Sequence, residues 1–296
     1  MAVVAEPQQP DLREPAGWRR TSNRIATWLM VLAFVLVIIP LGFVLFTVIA
    51  KGVSIISWSF LTSPIPPGVA PPGVGGIGPA IVGTVEIVAL ATVMAVPLGI
   101  LGAIYLNEYG GRNWLAALIG FFSDVMTGVP SIIMGLFIFS IWVLHFGFSG
   151  FAGALALGCL MLPIVIRSTY EMLRLVPDAL REGSYALGAT KARVTMTVVL
   201  PAALGGIVSG AMLAVARAVG ETAPLLFTIL TVTTVNKNVF SGANTSLPSQ
   251  IFANANSPYT GAQDRGWGAA LTLIVIAFVL MVVARFITAR FSRFSR

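Results

Sequence analysis

The chain has 296 residues, of which 57% are hydrophobic and only 10% charged. A soluble globular chain carries about 25% charged residues, so this one lacks the material for a water-facing surface; a soluble metabolic enzyme, a disordered chain and a secreted disulfide scaffold are excluded. The net charge of +7 reads as the positive-inside bias of an integral membrane protein, not as a nucleic-acid footprint.

Residues 1–24, rich in Pro, Glu and Gln, are expected to form a disordered cytoplasmic tail. The uncharged run 25–50 reaches about 39 Å at 1.5 Å per residue, enough for a retained first span. An irregular external loop follows, with Pro64, Pro66, Pro67, Pro71 and Pro72 among many glycines. The second span is 79–106. The stretch 114–146 holds Asp124 and the sequence Thr127-Gly128-Val129-Pro130-Ser131; it is either one broken crossing or a tight hairpin. The fourth, fifth and sixth spans are 151–167, 203–232 and 267–287. Charge decides the third. With a single crossing, the inside segments take most of the basic residues, and only Lys51, Lys237 and Arg265 fall outside. A hairpin would put the basic 168–201 loop outside. Six spans with both termini cytoplasmic is therefore the expectation.

The loop 168–201 contains Val176-Pro177-Asp178-Ala179-Leu180-Arg181-Glu182-Gly183-Ser184-Tyr185-Ala186-Leu187-Gly188. Pro177 suits a first helical turn, Asp178 the positive end of the dipole, and Gly188 the left-handed position after the helix. Val176, Leu180, Ser184 and Leu187 recur at helical spacing on one face. Nine residues after Gly188 comes Val198-Val199-Leu200-Pro201.

This pattern resembles the cytoplasmic signature of ABC-importer permeases: Glu-Ala-Ala, three residues, Gly, nine residues, Ile, any residue, Leu, Pro. Glu182, Gly188, Leu200 and Pro201 match in register. Gly183 and Ser184 replace the two alanines and remain small, and Val198 replaces Ile. The resemblance implies an all-α membrane protein with the six-helix type I (MetI-like) architecture, in which Glu182, Gly183, Ser184, Gly188, Leu200 and Pro201 belong to a helix docking on an ATP-hydrolysing subunit. A narrower resemblance lies in Ala216-Arg217-Ala218-Val219-Gly220-Glu221-Thr222-Ala223-Pro224, in residues 75–84 and in residues 257–265. These are similar to phosphate-specific permeases, the A-type subunit in particular, over roughly residues 25–290. What this implies is an ATP-driven inorganic phosphate importer in the plasma membrane. Its implied partners are a second homologous permease subunit, two cytoplasmic ATP-binding subunits, an extracytoplasmic phosphate-binding protein and membrane lipid.

Arg217 and Glu221 stand four residues apart in a span, about 6 Å along a helix axis. A charge at the bilayer centre costs at least about 2.5 kcal/mol, so it needs protein or water around it. From chemistry alone the pair is equally a packing device or an anion site; the resemblance favours the site. A guanidinium matches phosphate oxygens bidentately, and Glu221 would weaken that grip so that the ion can leave. Arg167, at the inner end of span four, is either an interfacial residue or, by the same resemblance, a second point on the path. Glu86 and Asp124 are expected to serve structural hydrogen bonding, Asp124 by capping the broken helix or bonding Thr127 and Ser131. His145 stands alone, so no metal site is argued. The chain lacks a G-x-x-x-x-G-K-[ST] segment and any nucleophile–base constellation. It is not expected to be an enzyme or to bind a cofactor; ATP would be used by a partner. Competing readings are a permease for another oxyanion, such as sulfate or molybdate, and a stand-alone secondary transporter or channel. The latter predicts discontinuous half-helices, and only one broken span is apparent.

Overall fold

A computed structural model describes residues 17–111 and 113–291. The first compact unit ends at Ile49 and contributes most of one helix, α1 (Gly17–Gly52). Of the expected disordered tail, residues 17–24 are helical instead; residues 1–16 lie outside the described residues. Extending a formed helix fixes one residue per hydrogen bond, whereas starting one is costly, so the apolar run carries the helix back through Trp18 and Arg20.

The second unit, from Ala50 onward, is helical among the described residues. After a short α2 (Trp58–Thr62), α3 (Gly78–Ile104) continues through a π turn, Tyr105–Tyr109. Then come α4 (Trp114–Gly128), α5 (Ser131–Ile138), a second π turn and α6 (Leu144–Phe146). Helix α7 (Gly150–Arg174) precedes the exposed α8 (Asp178–Ala186). Helix α9 (Lys191–Val194) runs through a third π turn, Thr195–Val199, into α10 (Leu200–Gly220). The chain ends with α11 (Leu225–Thr228), α12 (Leu247–Ala255) and α13 (Thr260–Phe291). Five helices among the described residues are long and apolar enough to cross a membrane, and the bent α4–α6 segment makes six if counted as one span.

Several boundaries move. The fourth span extends past 167 to Arg174, and α9 and the third π turn run unbroken into α10. The connection expected over 168–201 therefore shrinks to the segment around α8. Helix formation follows backbone hydrogen bonding, which outlasts the apolar run that hydropathy detects. The fifth span does not reach 232. It stops at Gly220, because Glu221 is extended (φ −71°, ψ 123°) and Pro224 follows. The third span is interrupted at Val129-Pro130, where the two arms diverge by 111°; Val129, forced out of the helical region by the next proline, adopts φ −73°, ψ 127°.

Helix α7 packs on α3, α10, α4 and α5. The main core joins Ile87, Val88 and Ala91 of α3, Leu157, Met161 and Val165 of α7, and Ala214, Ala218 and Val219 of α10. Small residues let these backbones approach, as in membrane bundles generally. The segments expected as external loops fold back onto the helices. Ser246 and Ser249 form a capping box for α12, and the Leu247 amide donates to Thr84 Oγ1 at 2.8 Å. A Cβ on Gly83 would lie 2.0 Å from the Thr245 carbonyl oxygen. The 75–84 segment is thus a close-packing surface: Gly75, Gly76 and Gly78 lie against residues 60–66, and Gly83 and Thr84 against residues 244–247. Gly83→Val is expected to cost about 1–3 kcal/mol by overpacking, read as a lower membrane level and faster proteolysis between α11 and α12. Arg265, expected in a loop, is buried within α13, and its Nη2 donates to the carbonyls of Pro67 and Gly68 at 3.5 Å each. It ties the proline-rich loop to the helix.

Candidate functional site

Arg217 occupies the last turn of α10, where the exposed carbonyls of the helix end favour a cation. Glu221 lies just beyond the helix, not on its face. The break still leaves the acid within reach: Arg217 Nε donates to Glu221 Oε1 at 3.3 Å. The arginine side chain is 65% exposed and the glutamate 17%. The arginine is therefore held at one edge, with the rest of its guanidinium open.

The chain that follows α10 meets the broken span. A Cβ on Gly135 of α5 would stand 2.7 Å from Pro224 Cα, so the backbone that follows Glu221 rests on the arm that follows Pro130. Among the described residues the α4–α6 segment is the one broken span, as the sequence suggested, and α10 is an unbroken crossing that ends at Gly220.

Arg167 is not at a helix end. It lies two turns inside α7, with Nε 3.3 Å from Glu171 Oε1 and Nη1 3.6 Å from Asp124 Oδ1. All three side chains are substantially exposed, and Arg167 and Asp124 line a cavity of about 550 Å³ with Asn113, Ser123 and Tyr170. The Asp124 side chain therefore bonds neither Thr127 nor Ser131. Its carboxylate faces Arg167, while Thr127 Oγ1 donates to its backbone carbonyl at 2.6 Å. Glu86 departs from expectation too: its Oε2 is buried with no hydrogen-bond partner among the described residues. Arg167 and Arg217 sit on different helices and share no acid: Arg167 pairs with Asp124 and Glu171, Arg217 with Glu221. Glu171 escaped the sequence reading although it stands four residues after Arg167, a visible helical pairing signal. Asp124, on another helix, gave no such signal.

The loop before α9 holds the other group of candidate residues. Pro177 (φ −58°, ψ 136°) precedes the first turn of α8 instead of occupying it, and Asp178 opens the helix. Glu182 and Gly183 are exposed, and Ser184 Oγ donates to the Leu180 carbonyl at 2.8 Å. The face expected to unite Val176, Leu180, Ser184 and Leu187 divides: Val176 is buried, whereas Leu180 is half-exposed and Leu187 is 90% exposed. Gly188 has φ +79°, the left-handed conformation expected of it. Leu200-Pro201 follows the third π turn directly; Pro201 has no N–H for the preceding turn, and the helix widens ahead of it. Exposed leucines on a short polar helix form a surface suited to a protein partner.

Residues 95–296 match the family described as binding-protein-dependent transport system inner membrane component. Phosphate transport system permease protein PstA 1 of Mycobacterium tuberculosis H37Rv is 43% identical over 97% of this chain and 96% of its own length. The PstA protein of Yersinia pestis is 40% identical over 94% of each chain. Among solved structures, a bacterial alginate ABC transporter aligns with TM-score 0.66 at 13% identity, covering 93% of this chain and 98% of that one. The inward-facing MetNI methionine ABC transporter aligns at 0.54 with 21% identity, covering 75% and 94%. These two share the fold. The chain is a multi-pass membrane protein and belongs to the family of binding-protein-dependent transport system inner membrane components.

Proposed function

We propose that this chain is a permease subunit of an ATP-driven importer that moves inorganic phosphate across the plasma membrane. The observation that carries the reading is the likeness to phosphate transport permeases over almost the whole chain. Chemistry supports it. Arg217 offers planar, permanently charged donors, and Glu221 competes for one edge of them. Phosphate then meets a site strong enough to take it and weak enough to release it. Arg167, between Asp124 and Glu171, is the second point on the path, its two acids weakening its hold on an anion.

The chain has no nucleotide-binding segment, so hydrolysis belongs to two cytoplasmic ATP-binding subunits. Glu182, Gly183, Ser184 and the exposed leucines of α8 dock on them, with Gly188, Leu200 and Pro201 shaping the segment. A second homologous permease subunit completes the pathway, and an extracytoplasmic binding protein delivers phosphate. The test is uptake of radiolabelled phosphate in cells whose own high-affinity phosphate import is deleted. Uptake dependent on this chain, undiminished by excess sulfate or molybdate, is expected. Competition by either anion at equimolar concentration would replace phosphate with the wider oxyanion reading.

The same reading puts both termini in the cytoplasm, on the positive-inside bias. In a Cys159→Ala background, Lys237→Cys should react with an impermeant thiol reagent added to intact cells, whereas Leu187→Cys should react only after permeabilisation. Both positions are exposed. The reverse pattern overturns this orientation.

A further inference from the structure

Arg181 was notable in the sequence only as one of several basic residues in a cytoplasmic loop. In the structure its side chain is 13% exposed and bonded along both outer nitrogens. Nη1 donates to the Val176 carbonyl at 2.6 Å and to Asp178 Oδ1 at 3.0 Å. Nη2 donates to the Leu173 carbonyl at 2.9 Å and to Glu108 Oε1 at 3.2 Å. The acceptors belong to three pieces of the structure. Leu173 lies in the last turn of α7 and Val176 just beyond it. Asp178 is the first residue of α8. Glu108, whose side chain is only 5% exposed, lies in the π turn that ends α3, and Asn107 Nδ2 donates to the same oxygen at 2.8 Å.

One guanidinium thus fastens the exposed helix to the cytoplasmic ends of two membrane helices. A well-packed apolar cluster lies beside the joint, including Ala103, Leu173, Val176, Val194 and Val199. Lys191 of α9 stacks over the Tyr109 ring at 5.1 Å, adding a second strap to the same π turn. Helix α8 itself buries no residue, so packing alone does not hold it. Displacing α8 must drag α3 and α7 through Arg181 or break its three hydrogen bonds to the Leu173 and Val176 carbonyls and to Glu108. Lysine cannot substitute, because one ammonium cannot reach acceptors spread along a planar fork.

We propose that Arg181, through Glu108 and the end of α7, is the positioning residue that transmits ATP-driven displacement of α8 to the transmembrane helices. The inference rests on the docking role given to α8 above. The test uses the complete importer in proteoliposomes, with Arg181→Lys, Glu108→Gln and the double variant. The ATP-binding subunit should co-purify with Arg181→Lys within twofold of wild type, and ATP hydrolysis without binding protein should hold within twofold. Stimulation by phosphate-loaded binding protein should fall at least tenfold. The double variant should be no worse than Arg181→Lys alone, since both changes cut one link.

A second readout needs no phosphate. With Cys159→Ala, a cysteine at the exposed Leu101 of α3 should change its maleimide labelling rate in wild type when ATP and vanadate are added. In Arg181→Lys that change should vanish. Stimulation and labelling response within twofold of wild type overturn the proposal; so does a defect confined to protein level, with normal stimulation per assembled complex. If wild type itself gives no stimulation with phosphate, the phosphate reading fails and the labelling response decides the link.

Discussion

Arg217→Gln is expected to lower phosphate uptake by about 100-fold or more, with membrane abundance close to wild type. The magnitude follows from losing two charge-assisted hydrogen bonds to the ion, at about 1.5–3 kcal/mol each. Abundance should hold because an arginine side chain that is 65% exposed, paired at one edge only, contributes about 0–1 kcal/mol to folding. Arg217→Lys keeps the charge without the fork and should retain partial transport at best. Glu221→Gln removes the competitor for the guanidinium, so the anion should bind more tightly and leave more slowly. A packing ion pair ranks these variants differently. Either single change would then lower abundance to a similar degree, and exchanging the two residues would restore abundance and transport together. Uptake normalised to membrane level, measured for all four variants, separates the cases. Normal uptake by a stably inserted Arg217→Gln variant removes the anion site.

The sequence made the spans legible because apolar runs of the required length have few other uses. It also made the turn at Gly188 legible, since glycine after a short helix is a local signal. Helix ends were less legible. Pro224 and Pro130 were both visible, yet the first was absorbed into an apolar run that hydropathy extends to Val232. Hydropathy is blind to what a proline does to the backbone: Pro224 has no N–H to continue the ladder from Gly220, and Pro130 forces Val129 out of the helical region. This error placed Glu221 on a helical face it does not occupy, although four-residue spacing still predicted the ion pair, because an extended residue just past a helix end stays near the last turn. Long-range partners were not legible at all. Asp124 with Arg167, and Glu108 with Arg181, are separated by 43 and 73 positions, and no periodicity relates such residues. The external segments were misread for the opposite reason. Thr245, Ser246, Ser249 and Gln250 are polar but buried, with hydrogen bonds among them replacing the water that their composition suggested.

Gly188→Val is expected to uncouple the importer while leaving the chain inserted. A Cβ at position 188 meets nothing within 4 Å, so the substitution adds no clash and acts through the backbone alone. At φ +79° a β-branched residue is strained by about 1–3 kcal/mol. A strain of about 2 kcal/mol shifts the local equilibrium about 30-fold away from the turn, at 1.4 kcal/mol per decade. The turn is what folds the chain back: the Gly188 amide donates to the Tyr185 carbonyl at 2.9 Å and the Ala189 amide to the Ser184 carbonyl at 3.2 Å. Without it, α8 and α9 lose their fixed relation, and Leu180 and Leu187 no longer face a partner together. Asparagine tolerates the left-handed region far better than valine, so Gly188→Asn should keep most of the stimulated ATP hydrolysis that Gly188→Val loses. The measurement is hydrolysis by the assembled importer with and without loaded binding protein, normalised to the ATP-binding subunit retained. Equal losses in the asparagine and valine variants would mean that the side chain of residue 188 obstructs the docked partner directly; equal retention would mean that the turn carries no coupling.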